Sequence, residues 1–236
     1  LLPVVSLLVL LLLVRQLYPY VSGSDPSIVD GYEVNLVSEN LGGPTCLVWA
    51  NDTHLLVCDR DGGRITELNI ETDARRTLLD GLHHPHGLLL HEGKAIVSEQ
   101  GQLSSYLIAE DGLFVDGQTL VSGIPAGNHQ TNSVNVMPNG TLIWHSGSTC
   151  NVCDEADERN AALLWVNATT GDHGVLASGV RNSFDGVWVE DHGYFFTDNG
   201  RDWEGDHPPE ELNFLIADAA YGWPDDEPET PVPEGS

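Results

Sequence analysis

The sequence predicts an all-β fold of the β-propeller type, and a fourfold repeat with regular spacing and turn-forming residues supports this prediction. In each copy an apolar strand, a polar turn and a second strand precede a charged or Gly-rich loop. The copies read PTCLVWANDTHLLVCDR from Pro44, PHGLLLHEGKAIVSEQ from Pro85, QTNSVNVMPNGTLIWHSG from Gln130 and SFDGVWVEDHGYFFTDNG from Ser183. Repeats of about 40–50 residues that hold several short strands are typical of propeller blades. The alternative is chance similarity among β-hairpins.

One apolar position marks the repeat. Its four members, Leu47, Leu88, Val134 and Val187, are 41, 46 and 53 positions apart. We expect them at equivalent positions on the innermost strands of successive blades, because each keeps a similar distance from the turn before the second strand.

Turn residues divide each copy into strands. Asn-Asp, Asp-Gly-Gly and Thr-Asp turns separate the strands of the first copy, and such pairs favour chain reversal. The predicted strands are 32–37, which would close a blade; 46–49, 55–58, 65–68 and 77–79; 87–90, 95–98, 105–108 and 119–121; 134–137, 142–145, 163–167 and 175–177; and 187–189, 194–197 and 212–216. The partial propeller thus spans 31–224, with a long insertion over 146–160.

The two ends differ from the repeats. Residues 1–14 are apolar apart from Ser6, and the run stops at Arg15. Such a run is short for a membrane span, so we interpret 1–21 as an export signal or a membrane anchor, followed by a linker over 22–30. The chain is therefore expected to be exported and to have a possible membrane tether. The Pro- and acid-rich stretch 225–236 predicts a disordered tail or the start of another blade.

The net charge and the cysteines limit which partners and which metal or disulfide chemistry the sequence favours. Nine Lys and Arg against 36 Asp and Glu give a net charge of −27, which disfavours nucleic acid as a partner. Cys46 and Cys58 lie on adjacent predicted strands, where a disulfide is geometrically possible. Cys150 and Cys153 form a CxxC without a second CxxC or a nearby ligand His, so a local disulfide or free thiols are favoured over zinc.

Candidate chemical groups cluster at blade starts and loop tips. His129 precedes the third blade and Arg181 the fourth, so both should converge at the channel mouth. A neutral imidazole beside a fixed guanidinium suits proton abstraction next to a developing oxyanion. The loop 197–206 is rich in carboxylates and carbonyls, which suits Ca²⁺. The alternatives are a structural His, an Arg that only satisfies loop carbonyls, and ordinary turn chemistry.

Four segments resemble one family. SGSTCNVCDEADERNAALLWVN, ASGVRNSFDGVWV, TDNGRDWEGDHPPEELN and YGWP, in this order, are similar to the soluble glucose and sorbosone dehydrogenases that use pyrroloquinoline quinone (PQQ). The resemblance covers about 36–224. It implies a six-bladed propeller of which this sequence carries four blades, and quinone-dependent oxidation of a sugar or related alcohol. We expect this stretch alone to be inactive.

The resemblance also implies roles for particular residues. It implies that His129 is the base that takes the substrate hydroxyl proton and that Arg181 stabilises charge on the quinone oxygen. Asn182 and Asn128 are implied as further cofactor contacts. The cluster of His83, His84 and His86 before the second blade is expected to line the pocket too, with His86 as a cofactor contact; ordinary loop histidines are the alternative. The metal residues implied are Gly200 and Arg201 through their carbonyls for the catalytic Ca²⁺, and Glu211 and Tyr221 for a structural Ca²⁺.

Two departures from the family pattern affect this interpretation. Asn128 stands where glucose-oxidising members have aspartate; its amide can orient the imidazole but cannot stabilise an imidazolium by charge. The cationic residues that bind the cofactor carboxylates come from later blades that this sequence does not contain. A calcium-dependent lactonase and a non-catalytic extracellular propeller that binds a sugar or a partner remain the alternatives. The electron acceptor cannot be read from the sequence.

Overall fold

The computed structural model describes residues 29–202 and 210–225, which belong to two compact units divided between Glu39 and Asn40. In the first unit, residues 29–39 contain a turn and no strand. The predicted strand 32–37 is therefore wrong. Apolar alternation gives a strand only where a neighbour supplies its ladder of hydrogen bonds, and the described residues form no such ladder with this segment.

The expectations for 1–21, for most of the linker and for the tail beyond Asp225 lie outside the described residues. Within the described ranges, no helix has the length and apolar character needed to cross a bilayer.

The second unit is built from β-strands arranged in four antiparallel sheets, each a meander in chain order. Blade 1 comprises β1 (Pro44–Trp49), β2 (His54–Asp59), β3 (Arg64–Asn69) and β4 (Arg75–Leu79); blade 2, β5 (Gly87–His91), β6 (Lys94–Glu99), β7 (Gln102–Ile108) and β8 (Phe114–Val121); blade 3, β9 (Thr131–Val136), β10 (Leu142–Ser146), β11 (Ala162–Val166) and β12 (His173–Ser178); blade 4, β13 (Gly186–Val189), β14 (Gly193–Asp198) and β15 (Glu211–Phe214).

The first strands of the four sheets face one another. Strand β5 contacts both β1 and β9, and β13 contacts β9, as expected for the innermost strands of neighbouring blades. The four marker residues all lie on these strands, paired with Val57, Val97, Trp144 and Phe195 of the second strands. The propeller prediction is confirmed, with four blades in the described residues.

Apolar faces of adjacent blades form the core. One buried cluster joins blades 1 and 2 around Leu56 and Val97, a second joins blades 2 and 3 around Ile96 and Trp144, and a third joins blades 3 and 4 around Phe196. Complete burial of a side chain of this size contributes about 1.5–3 kcal/mol. These clusters hold the loops at the blade starts in fixed relative positions.

Burial of the marker position depends on neighbouring sheets. Leu88 and Val134 are 6% and 3% exposed, whereas Leu47 and Val187 are 61% and 57% exposed. Blades 2 and 3 have a described sheet on each side, but blades 1 and 4 have one on a single side. The position in the repeat therefore determines which strand a marker residue occupies, and the number of neighbouring sheets determines how deeply that residue is buried.

Both cysteine pairs form disulfides. Cys46–Cys58 links directly opposed residues of β1 and β2, and Cys150–Cys153 closes a four-residue loop after β10. Two disulfides are typical of a domain that folds outside the cytoplasm, in an oxidising compartment.

Candidate active site

Three segments meet where blades 3 and 4 begin: the loop before β9, the loop before β13 and the connection that follows β10. The backbone of Ser148, in the β10 connection, links the other two. Its N–H donates to the Arg181 carbonyl at 2.8 Å, and its carbonyl accepts from the His129 N–H at 3.1 Å. Residues 52 positions apart in sequence are thereby placed at one site.

His129 is held in one tautomer by the same serine. The Ser148 Oγ donates its only hydrogen to the Cys150 carbonyl at 2.8 Å, so it must accept from His129 Nδ1, which lies 2.7 Å away. The proton therefore sits on Nδ1. The Nε2 lone pair makes no hydrogen bond within the described part of the chain, and the ring is half-buried. His129 is positioned to accept a proton at Nε2.

The surroundings keep this imidazole neutral. Burial lowers the pKa of His129 below its ordinary value of 6.5, and the Arg181 guanidinium lowers it further. The Asp202 carboxylate and a hydrogen bond with the Ser148 backbone act on the pKa in the opposite direction. A neutral imidazole at pH 7 is the form that a general base requires.

Arg181 is 2% exposed and is held almost entirely by acceptors of the protein. Its Nε donates to the Asn151 carbonyl at 3.1 Å, and its Nη2 donates to Asn151 Oδ1 at 2.7 Å and to Asp202 Oδ2 at 3.0 Å. Its Nη1 donates to the Asn199 carbonyl at 3.2 Å. One Nη1 hydrogen has no acceptor among the described residues.

A buried carboxylate fixes the backbone on which Arg181 stands. Asp198 accepts the N–H groups of Arg181 and Asn182 at 2.9 and 2.6 Å. Burial raises the pKa of Asp198 to about 7, and the Glu211 carboxylate raises it too, while the two N–H groups lower it. Asp198 is the last residue of β14, and Arg181 and Asn182 precede β13. These two hydrogen bonds therefore join the two ends of the β13–β14 hairpin.

Asn182 lies beside His129. Its Oδ1 accepts from Asn132 Nδ2 at 3.0 Å, and both Asn182 and His129 pack against Gly147. A Cβ at Gly147 would lie 2.7 Å from His129 Cβ and 3.2 Å from Asn182 Oδ1. Only glycine leaves room for this approach.

Two other predicted cofactor residues, Asn128 and His86, make no described hydrogen bond to His129 or Arg181 through their side chains. The side chain of Asn128 is exposed, and the partner of His129 Nδ1 is Ser148 rather than Asn128. His86 is 9% exposed and its Nε2 is hydrogen-bonded to the Gln130 side chain. Burial lowers the pKa of His86 to about 4, with a further lowering by Arg60. His86 thus lies next to the site through the residue that follows His129.

The predicted metal residues are divided between two places. Gly200 and Arg201 follow Asp198 in one loop, where the Gly200 N–H donates to Glu210 Oε2 at 2.9 Å. Glu211 is the register partner of Asp198. The Tyr221 hydroxyl instead donates to the Phe214 carbonyl at 2.5 Å and accepts from the Ile216 N–H at 2.9 Å. It binds the backbone at the end of β15.

A cavity of about 230 Å³ lies on blade 1 and shares no lining residue with this site. Its three arginines form ion pairs: Arg64 with Asp59, Arg75 with Asp73 and Arg76 with Glu67. This cavity is therefore not part of the candidate active site.

Sequence reasoning missed the residues that orient the predicted groups. Ser148 and Asn151 belong to the insertion after β10, which has no counterpart in the other repeats. Asp198 and Asp202 belong to the loop 197–206, whose composition predicts only a metal site. The CxxC around Asn151, which lies within the first of the four family-like segments, is the signal that this insertion is structured.

No family model and no curated protein sequence matches this chain. Among solved structures, the chain resembles the PQQ-bound aldose sugar dehydrogenase of Streptomyces coelicolor (TM-score 0.69, 21% identity, 83% of this chain and 66% of that one). It also resembles the calcium structure of a Trichoderma reesei carbohydrate-active enzyme of family AA12 (TM-score 0.70, 21% identity, 85% and 60%). A chain of a nidogen–laminin complex is similar as well (TM-score 0.55, 18% identity, 72% and 61%).

These likenesses establish a shared β-propeller fold. The chain spans 66% and 60% of the first two of these neighbours, and a chain of a nidogen–laminin complex shares the architecture as well. Function therefore has to be argued from the site.

Proposed function

We propose that this chain carries the proton-accepting half of an active site that oxidises a sugar or a related polyol or aldose with PQQ as hydride acceptor and Ca²⁺ as metal. The observation that carries the proposal is the state of His129: Nδ1 is bonded to Ser148, Nε2 has no partner among the described residues, and the Ser148 backbone links His129 to Arg181. The arrangement matches what abstraction of a hydroxyl proton requires.

The residues present suit the quinone end of such a cofactor. The remaining Nη1 hydrogen of Arg181 is a charged donor, and Asn182 beside it carries an amide. Both are buried and fixed, Arg181 by its acceptors and Asn182 by Asn132. Donors that are preorganised in this way stabilise negative charge on an oxygen more effectively than water does. These two residues would contact the cofactor's carbonyl edge.

The chain's own residues perform the following steps. A substrate hydroxyl donates a hydrogen bond to His129 Nε2, which takes the proton while Ser148 holds Nδ1–H in place. Bound PQQ would supply the acceptor for the hydride that leaves the carbinol carbon. Burial and, in second place, the Arg181 guanidinium keep His129 neutral before reaction. Asp202, which raises the pKa of His129, favours the imidazolium once the proton has moved.

The loop at the end of β14 suits a hard cation. Glu210 Oε2 accepts a hydrogen bond from the Gly200 N–H, and Glu211 lies opposite Asp198 in the strand register at the base of the loop. Carboxylate and carbonyl oxygens are the ligands that Ca²⁺ prefers. We assign Gly200 and Arg201 to the catalytic ion, and Glu211 to the structural ion. Tyr221 stays a candidate through its backbone, because its hydroxyl already makes two hydrogen bonds.

The disulfides favour export, and we propose that the N-terminal apolar segment directs it and can tether the protein to a membrane. The proposed partner is a small sugar or alcohol.

Absorbance spectroscopy on the full-length protein tests the function. With PQQ and Ca²⁺ bound, an aldose should bleach the oxidised quinone and produce the reduced form, and Ca²⁺ should raise the melting temperature by mass action. Acid release from lactones without quinone reduction would favour the lactonase alternative. Saturable sugar or protein binding with neither reaction would favour a non-catalytic propeller, the alternative that the nidogen–laminin likeness supports.

A further inference from the structure

The loop closed by the Cys150–Cys153 disulfide touches both candidate catalytic groups, although neither of its cysteines contacts them through a side chain. The Cys150 carbonyl accepts the Ser148 hydroxyl that orients His129. The next residue, Asn151, receives Arg181 Nε on its carbonyl and Arg181 Nη2 on its Oδ1. Consecutive residues of one small ring thus serve the two groups.

Asn151 also makes hydrogen bonds to Asp202 and Trp223. Besides its two contacts with Arg181, its Oδ1 accepts from the Asp202 N–H at 2.8 Å and its Nδ2 donates to the Asp202 carbonyl at 2.5 Å. The side-chain amide thereby pairs with the Asp202 backbone as a neighbouring strand would. The Asn151 carbonyl also accepts from Trp223 Nε1 at 3.2 Å, and Trp223 is buried.

These contacts define where the guanidinium lies. The ion pair between Arg181 and Asp202 joins a side chain that is 2% exposed to one that is 79% exposed, and such a half-exposed pair fixes geometry weakly on its own. Asn151 holds both partners at once, and the disulfide limits the conformations open to Asn151. Two fixed acceptors on one planar guanidinium specify its orientation as well as its place.

We propose that Asn151, held by the Cys150–Cys153 disulfide, is the positioning residue of this site: it keeps the Arg181 guanidinium at a fixed distance from His129. This role rests on the function proposed above, because it concerns the same two groups. Asn151 touches neither substrate nor cofactor in this proposal and acts only through Arg181.

The pKa of His129 reports the position of Arg181 and can be measured without turnover. NMR titration of the histidine ring signals, with the His129 signal assigned from a His129→Gln variant, gives this pKa. The charged groups acting on His129 are Arg181, which lowers the pKa, and Asp202, which raises it. An Arg181→Gln variant sets the upper reference, since it removes the cation.

Asn151→Ala and Asn151→Leu are the test variants; the second keeps the number and branching of the side-chain heavy atoms and guards against collapse of the loop. Both should raise the pKa of His129 toward the Arg181→Gln value. Cys150→Ser/Cys153→Ser should do the same to a smaller extent. The matched control is Cys46→Ser/Cys58→Ser, which removes the other disulfide and should lower stability without moving the pKa of His129.

In the full-length protein, Asn151→Ala should lower kcat by about 10- to 100-fold, the cost of misplacing a catalytic group, with a smaller change in KM. An unchanged pKa of His129 in folded Asn151→Ala and Asn151→Leu, when Arg181→Gln raises it, overturns the positioning role. If the wild-type protein reduces no quinone, the proposed function fails, but the titration still decides whether Asn151 positions Arg181.

Discussion

Two histidines, His129 before β9 and His145 on β10, each bond a serine through Nδ1 but differ at Nε2. His129 bonds Ser148 through Nδ1, and His145 bonds Ser183 through Nδ1, each at 2.7 Å. His145 Nε2 also bonds the Tyr194 hydroxyl at 2.7 Å and its ring is completely buried, whereas His129 is half-buried and its Nε2 faces no described partner. A serine on Nδ1 is therefore common to both, and the second nitrogen distinguishes a candidate base from a structural histidine.

The difference arises from where each histidine lies in its blade. His145 is on β10, and its two partners belong to blade 4, so it joins neighbouring blades in their interior. His129 lies in the loop before β9, at the mouth where the blades begin. Both environments lower the histidine pKa by burial, but only one leaves a nitrogen open to a substrate.

The largest expected effect is on catalysis. His129→Ala should lower the turnover of the full-length protein by about 10²–10⁴-fold, the usual contribution of a positioned base, while its melting temperature changes little because the ring is half-exposed. Quinone reduction under saturating substrate measures this. His192→Ala, at an exposed histidine of the β13–β14 turn, is the matched control. A His129→Ala protein that unfolds readily yet still reduces quinone would assign the structural role to His129 instead.

His145 should show the reverse pattern. His145→Ala removes a buried ring and leaves the Tyr194 and Ser183 hydroxyls without their partner, so the free energy of unfolding should fall by about 2–5 kcal/mol. Urea denaturation measures this loss, and turnover per folded molecule should stay near wild type. Tyr194→Phe should cost less, about 1–3 kcal/mol, since the ring stays in place and only the hydrogen bonding of its hydroxyl is lost. A stable His145→Ala protein without activity would mean that His145, like His129, is required for catalysis and is not a structural residue.

The pH dependence of stability separates the two histidines further. Burial lowers the pKa of His145 to about 4, so between pH 6.5 and 4 the unfolded chain binds a proton that the folded chain does not. Stability from this group is complete above pH 6.5 and falls as pH drops through the window, by about 3 kcal/mol in total. His86 acts in the same direction, and Asp198, with its raised pKa, acts in the opposite one.

The contribution of His145 is therefore measured as a difference in the free energy of unfolding between two proteins. The free energy of unfolding of wild type minus that of His145→Gln should decrease steadily from pH 6.5 to 4.5, because the contributions of His86 and Asp198 cancel between the two proteins. A difference that is flat over this range would mean that His145 does not stay neutral in the folded protein.

The periodicity of the sequence was sufficient to place the blades. The observed strands β1–β15 overlap the strands predicted over 46–216, because each repeat carries its own turns and apolar residues. The propeller rule also brought His129 and Arg181 together without any knowledge of contacts, since blade starts share one face of the ring.

Sequence reasoning failed where the structure depends on packing between blades. The two hydrogen bonds of His145 span 38 and 49 residues, and no local pattern marks such partners. The exposure of Leu47 against the burial of Leu88 likewise depends on whether a neighbouring sheet is present. Ser148 and Asn151 were missed because their insertion has no repeat to compare with.

The smallest expected effect comes from the two serines, which test the comparison at its common point. Ser148→Ala leaves His129 Nδ1 without the acceptor that fixes its proton, so part of the imidazole adopts the tautomer with Nε2–H and cannot accept a proton there. One neutral hydrogen bond contributes about 0.5–1.5 kcal/mol, which corresponds to a loss of turnover of about 2- to 10-fold. Ser148 is completely buried and its hydroxyl also bonds the Cys150 carbonyl, so the free energy of unfolding should fall by about 1–3 kcal/mol as well, and the loss of turnover is what sets this variant apart.

Ser183→Ala is the matched change at His145. It should leave turnover unchanged and lower the free energy of unfolding by about 1–3 kcal/mol, because the unpaired nitrogen lies in a fully buried ring. Parallel kinetics and urea denaturation on both variants measure the two quantities. If Ser148→Ala affected only stability and Ser183→Ala only turnover, the assignments of His129 and His145 would have to be exchanged; equal effects on both quantities would show that the open nitrogen of His129 has no special role.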